Sequence, residues 1–564
     1  MEDLKGSLCK GAAQVLLDHL ITIKELDLPE EVVQGAKQVT FVPKNACTFL
    51  PTSLRMAESS AALWAAIGLF AGQISSHRYD LPPQSVTIDV YSATLFLMSS
   101  FLFKSQGKTI ADPHLVNRCL PMDLGKIRET YRGPATNIYR ARDAKFYHLH
   151  GSLNTTPILR MLGLPQHRPD LEGRENYDRV RQIYRDAVAQ HDSTWLDIES
   201  NEYWRSAGTI CYTPEEFQET SHGKVISQEP LYTVNLVSPE LPPVPWVTVD
   251  DDRRRPLAGV RVLDLSRVVA GPTISSVLAL LGAEVLRISS DKLPDTVLLY
   301  DTQIGKRDTR LHLKNPEEKG KLKRLVEEAD VLVDAYRPGA LERLGFGRRE
   351  LQEIAKRRNK GIVHVRENCY GWKGEWSHRS GWQQIADAVS GVTWVQGEFL
   401  GLKEPIIPLL PNSDYQTGLI GAMAICQALW KRHRVGGSYN VDISLTQYNL
   451  WLMKLGIHDQ ETCGKIRSLN PRFKARHDTE LPSLLTQVKE ESKISLGVGP
   501  GKLWDPARFT TSKMRWGFPD EEASHLDWRT IISFESSHGA KEVALGYDRG
   551  SCAPGSDEPI WLTG

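Results

Sequence analysis

Between residues 260 and 366, short apolar runs alternate with helix-length segments, and that alternation leaves little choice of architecture. Val260-Arg-Val-Leu-Asp-Leu265 has the length of a strand. Residues 272–282 read as a helix with Pro at its start and Gly at its end. Glu284-Val-Leu-Arg-Ile288 is a second strand, and a charged helix over about 315–328 leads to a third, Asp330-Val-Leu-Val-Asp334. Ile362-Val-His-Val-Arg366 is a fourth. Strands separated by helices cannot pair as hairpins; they lie parallel, with the helices packed on the sheet faces. The pattern predicts an α/β chain with a Rossmann-like, open parallel sheet whose ligands sit beyond the strands' carboxyl ends.

The turn after the first strand, Ser266-Arg-Val-Val-Ala-Gly-Pro272, lacks the glycine spacing of a dinucleotide site. Its Gly-Pro step still places a helix N-terminus where an anionic group can bind. The 69 Lys and Arg residues equal the 69 Asp and Glu, so nothing suggests nucleic acid or a membrane surface as a partner. The 8 cysteines are scattered with no CxxC pair, giving no zinc or redox motif and fitting reduced thiols. No window of about 18 apolar residues, no signal peptide and no C-terminal peroxisomal address is apparent, so an intracellular, cytoplasmic location is the expectation.

The Pro-rich stretch and charge run over 239–256 read as a linker. Residues 51–97 and 410–452 share an order: long apolar helix, polar or Gly-rich turn, and an Asp-containing strand, Ile88-Asp89-Val90 and Val441-Asp442-Ile443. On that alignment Leu54 or Arg55 stands where the second unit has Asp414, so the first unit is expected to lack a carboxylate there. Asp414 itself precedes a predicted helix, Thr417 to about Arg432, where an Asp is also a common cap.

Several segments in this order resemble the class III coenzyme A-transferases, the family of the formyl-CoA, carnitine and bile-acid-inducible transferases. Pro256 to Pro272 resembles the family's opening segment, followed at the family's distance by Leu281-Gly-Ala-Glu-Val-Leu-Arg287. Gly305-Lys306-Arg307 resembles its turn before a strand, and Ala329 to Gly347 its CoA-binding segment. Asp414-Tyr-Gln-Thr-Gly418 is similar to the Asp-x-x-Thr-Gly motif that carries the nucleophile. In the first half, Tyr139 to Tyr147 resembles the start of the family's smaller domain. The whole looks like a double-length, fungal-type member, for which secondary metabolism is the associated setting. The resemblance implies a degenerate family-like unit at 1–130, a small α+β domain at 131–238, and a CoA-binding and catalytic domain at 257–460. Residues 461–564 are left without a role. A homodimer or an internal pseudo-dimer would suit such a chain.

The resemblance also implies the chemistry: CoA passes from an acyl-CoA donor to a carboxylic acid acceptor, with CoA as substrate and no permanent cofactor or metal. Asp414 would be the nucleophile. Arg267, Gly271, Arg337, Gly339 and Arg343 would bind CoA, arginine being suited to phosphate by its planar fork. Trp382 would pack on the acyl or pantetheine chain. Departures keep two alternatives open. Ser289-Ser290 replaces a charged pair, and Gly497-Val-Gly-Pro-Gly501 is an insecure counterpart of the family's shielding loop. Both suit a non-catalytic acyl-CoA-binding pseudoenzyme, or, with the anhydride open to water, a slow acyl-CoA hydrolase. An acyl-CoA racemase would need a histidine where this chain has Trp382, and is less favoured.

Overall fold

The structure, a computed structural model, describes residues 4–249, 253–517, 521–536 and 543–562. Its centre is a seven-stranded sheet. In chain order the strands are β1 (Thr233–Val237), β2 (Arg261–Leu265), β3 (Glu284–Ser289), β4 (Arg307–Arg310), β5 (Val331–Asp334), β6 (Val363–Asn368) and β7 (Ser438–Ser444). Across the sheet they lie β4-β3-β2-β5-β6-β7-β1, parallel except for the antiparallel edge strand β1. The four strands expected from the apolar runs are present, each within a residue or two of its expected bounds.

The two faces of the sheet bury different side chains, as the period of two requires. Val262, Val285, Val331, Val333, Val363, Val365, Val441 and Ile443 join the core that includes α2 (Ala270–Leu280) and α3 (Asn412–Arg434). Leu263, Leu265, Leu286, Ile288 and Leu332 pack on the other side against the helices Pro316–Glu328 and Arg348–Arg357. Both faces are covered, which is why these strands read as continuous apolar runs.

The first half packs against the second through α1 (Met56–Tyr79), whose buried face runs along α3 within one core. Aromatic contacts cross the same boundary: Phe96 meets Tyr415 edge-on at 4.9 Å between ring centroids. Residues 239–249 form no helix or strand and are fixed against the second half: Val244 N–H donates to Arg432 O, and Trp246 stacks on His433. Of the charge run Asp250–Arg255, residues 250–252 lie outside the described residues, and Arg253 and Arg255 pair with Asp548. The last segment closes onto the first half, since Ile532–Ser536 pairs with Gln84–Asp89. Among the described residues no helix is long and apolar enough to cross a membrane.

α1 and α3 are each followed by a strand, Gln84–Asp89 and β7. Leu54 and Arg55 precede α1, however, and the third residue of α1 is Glu58, as Asp414 is the third of α3. Matching the helix starts therefore puts a carboxylate in both units, contrary to the expectation from sequence. Glu58 is 1% exposed, accepts a 2.8 Å hydrogen bond from Thr48 and lies 3.4 Å from His458. Gly11 packs directly over it: a Cβ at Gly11 would come within 2.7 Å of Glu58 Cγ. That side chain is sealed in the core.

Candidate active site

A cavity of about 840 Å³ opens beyond the carboxyl ends of β2, β3, β5 and β6. This volume lies within the range of sites for small molecules and cofactors. Its second-half walls include Arg267, Gly271, Arg337, Arg343, Trp382 and Asp414. Gly339 is not on the wall, although Pro338 and Ala340 beside it are; its left-handed backbone (φ 77°) begins the short helix Ala340–Leu344. The loop Gly497–Gly501 follows the helix Leu481–Leu496 and contributes nothing to the wall.

The β2–α2 turn needs its small residue. A Cβ on Gly271 would lie 2.4 Å from Ser266 Cβ and 2.6 Å from Ala335 Cβ, so only glycine lets the turn close on the β5 loop. Val268 in the same turn is β-branched yet has φ 74°, a conformation that its surroundings must impose. Beneath the turn, Lys306 Nζ reaches Asp264 at 3.0 Å and donates to Pro272 O at 2.7 Å, with both charged side chains fully buried. Burial would raise Asp264, but Lys306 and the hydroxyls of Ser266 and Ser275 outweigh it and hold the carboxylate below its ordinary range. Lys306 therefore braces the start of α2 against β2 from below.

One rim of the cavity is cationic. Arg267 donates to Pro294 O at 2.8 Å and lies over the Tyr336 ring, 5.5 Å from its centroid. Arg337 is exposed, and no hydrogen bond or ion pair engages its guanidinium among the described residues. Partial burial and then the neighbouring Arg267 lower its pKa, which is the signature of an uncompensated positive site. Lys292, His312 and Lys314, which sequence reasoning did not single out, line the same cavity. They stand where the chain has Ser289-Ser290: Ser289 turns inward to Asp308, while Ser290 meets His312 Nδ1 at 3.3 Å.

Asp414 sits inside the first turn of α3, which starts five residues earlier than predicted and has Pro411, with no capping side chain, ahead of it. Asp414 is thus not the cap. Three residues beside it are tied down. Asn412 donates to Tyr448 Oη at 2.8 Å, Ser413 to Asp387 at 2.8 Å, and Gln416 to Met56 O at 2.9 Å. Asn449 and Gln383 complete the set around Asp387. The Asp414 carboxyl takes no hydrogen bond or ion pair among the described residues and faces the cavity. Burial first, then Glu367 and Asp387, push it well above the ordinary carboxylate range. The positive end of α3 acts in the opposite sense.

The first half supplies the facing wall with Ser152–Asn154, Pro157 and Trp204–Ser206. Trp382 is fixed between the halves: its indole N–H donates to Ser152 Oγ at 3.0 Å, and its ring stacks on His150 at 5.5 Å, 5° from parallel. These first-half residues were not foreseen, and neither was Glu367 at the end of β6. Among the described residues no group of three or more His, Cys, Asp or Glu is arranged to hold a metal ion.

The family model for CoA-transferase family III matches residues 257–511, which contain the sheet from β2 onward and Asp414. The chain is 39% identical over 553 residues to the acetyl-coenzyme A transferase nodX of Hypoxylon pulicicidum, covering 95% of this chain and 90% of that one. It is 33% identical over 431 residues to an acyl-CoA transferase of Gibberella moniliformis, covering 74% of each. The succinyl-CoA:glutarate CoA-transferase of Mus musculus is 32% identical over 209 residues, 35% of this chain and 47% of that one. With a relative 39% identical along nearly the whole length and the family model matched over the sheet from β2 onward, the chain belongs to CoA-transferase family III.

Proposed function

We propose that this CoA-transferase works through Asp414 as a covalent nucleophile, moving CoA from an acyl-CoA donor to a carboxylic acid. The observation that carries this reading is the free carboxyl of Asp414, facing the cavity while Asn412, Ser413, Tyr415 and Gln416 around it are hydrogen-bonded. A carboxylate oxygen attacks the thioester carbonyl, the C–S bond breaks, and CoA thiolate leaves an acyl-aspartyl anhydride. The thiolate then attacks Asp414 Cγ and expels the donor's acid, giving an aspartyl-CoA thioester. The acceptor carboxylate attacks Cγ in turn, forming a second anhydride and releasing thiolate. Attack of that thiolate on the acceptor's acyl carbon returns free Asp414. Each attack exchanges one activated acyl bond for another, so no metal or redox group is required.

The rim of Arg267, Arg337 and Arg343, with Lys314 and His312 beside it, suits the phosphates of CoA. The relatives' names point to acetyl-CoA or another acyl-CoA as donor. Trp382, pinned by Ser152, offers an apolar face to the acyl or pantetheine chain, and its indole cannot exchange an α-proton as a racemase requires. The first half plays the part of a partner subunit by completing the wall from within the same chain.

The test is CoA exchange with acetyl-CoA or succinyl-CoA and a panel of carboxylic acids, using wild type and Asp414→Ala. New acyl-CoA species from the wild type alone, with a hydroxylamine-sensitive adduct on Asp414, are expected. Equal transfer by the variant overturns the nucleophile assignment.

A further inference from the structure

On the α2/α3 face of β6, Val363 and Val365 are buried in the core, and the next side chain on that face is Glu367. An ionisable group in this place is out of character with the strand, and it emerges where the cavity opens beside the first turn of α3. No hydrogen bond or ion pair engages it among the described residues. Asn368 after it is locked in two hydrogen bonds with Gly371, so the strand end that presents Glu367 is fixed. Arg366 before it points to the opposite face, held by Asp442 at 2.9 Å and lying 3.8 Å over the Trp372 ring. Arg348 is likewise bound to Asp442.

The charges that bear on this corner are acids: Asp334 on β5 acts on Glu367, and Glu367 acts in turn on Asp414 and on the thiol of Cys369, which Asp387 on the helix Gln383–Val389 also affects. Glu367 and Asp414 line one cavity with two more carboxylates close behind its wall, and such a group cannot be ionised throughout, since each negative charge raises the next. A nucleophile must be the anion, so a proton belongs on its neighbour. Burial and then Asp334 push Glu367 up to about 8, and Asp414 is pushed well above its ordinary range as well, so the pair holds a proton at physiological pH, and attack by Asp414 requires that proton to sit on Glu367.

We propose that Glu367, as a neutral carboxylic acid, donates a hydrogen bond to an oxygen of the acyl group that reacts at Asp414. The inference rests on Asp414 being the nucleophile. The carbonyl oxygen gains negative charge as the tetrahedral intermediate forms, and a donor placed in a dry cavity beforehand stabilises that charge without reorganising. The proton remains on Glu367 throughout. Keeping Glu367 neutral also removes a like charge from beside the attacking carboxylate.

The experiment compares wild type, Glu367→Gln, Glu367→Ala and Asp414→Asn by kcat and KM from about pH 6 to about pH 9. Glu367→Ala is expected to lose roughly 100-fold in kcat with donor KM unchanged. Glu367→Gln, which keeps a neutral donor of similar shape, recovers most of that loss. Wild-type kcat declines at alkaline pH as the pair loses its shared proton, and that decline is absent from Glu367→Gln. Wild-type kcat in Glu367→Ala, or the same alkaline decline in Glu367→Gln, overturns the proposal. Full activity in Asp414→Asn overturns the nucleophile reading instead. A readout independent of turnover is the infrared carbonyl band of a neutral carboxylic acid at neutral pH. A band present in wild type and lost in Glu367→Gln is expected; identical spectra would show Glu367 ionised and the proposal wrong.

Discussion

Tyr415, one residue beyond Asp414, donates its hydroxyl proton to Ser100 Oγ at 2.8 Å and accepts the Ser100 amide at 3.0 Å, so the first half of the chain grips the first turn of α3. Asp301 extends the grip, accepting from Ser99 at 3.2 Å and from Ser100 at 3.0 Å. Removing the hydroxyl in Tyr415→Phe leaves the buried Ser100 amide without a partner, which costs about 1–3 kcal/mol, while Ser100 Oγ keeps Asp301. We expect a lowered urea midpoint and a fall of several-fold in kcat, with donor KM little changed. An unchanged midpoint would mean that solvent or Asp301 replaces the tyrosine.

Asp414→Asn should separate function from stability. The carboxyl has no compensating partner and is surrounded by acids, so its charge opposes folding. The amide keeps the shape and removes the charge. Transfer should fall by about a thousandfold or more, as for other lost nucleophiles, while the thermal midpoint at pH 8 rises. A midpoint below that of wild type would mean that the carboxylate has a stabilising contact in solution.

Arg337→Ala tests the cationic rim. A charged hydrogen bond to phosphate contributes about 1.5–3 kcal/mol, or roughly 10-fold or more in affinity. Calorimetry should show CoA binding weakened by that factor and a smaller dependence on salt, with kcat at saturating donor preserved. A large loss of kcat at unchanged affinity would place Arg337 at the reacting atoms instead of the phosphates.

The parallel sheet was legible because its strands are buried on both faces and so appear as unbroken apolar runs. The start of α3 was not, because Asn412-Ser413-Asp414 has the composition of a turn. What makes it helical is tertiary: Tyr448 and Asp387 take up the Asn412 and Ser413 side chains, removing their competition with the backbone. The same error of register hid Glu58, which follows the true start of α1. The edge strand β1 (Thr-Val-Asn-Leu-Val) was missed since it is largely uncovered and precedes the linker. Of the residues lining the cavity, Asp414, Trp382 and the arginines were singled out through local motifs. Ser152, Trp204 and Arg205 reach the cavity only through the packing of the halves, and no local pattern marks them. Glu367 was overlooked because the apolar reading of β6 ended one residue before it.

Asp334, at the end of β5 and 6% exposed, gives the chain a measurable dependence of stability on pH. Burial is the main cause, with Glu342 adding to it against the Tyr336 amide, Arg366 and Arg348, and its pKa rises to about 7. An unfolded aspartate titrates near 4. Between those values the folded chain keeps a proton that the unfolded chain has lost, so the Asp334 contribution falls as pH rises and levels off above about 7. Asp334→Asn still offers an oxygen to the Tyr336 amide and does not titrate. The variant's stability relative to wild type should therefore increase with pH, by on the order of 2 kcal/mol between about pH 5 and about pH 7. Paired urea titrations at the two pH values read this difference directly and cancel the contributions of every other group. A constant difference would mean that Asp334 is ionised in the folded protein, with His364, 4.0 Å away, carrying the compensating charge.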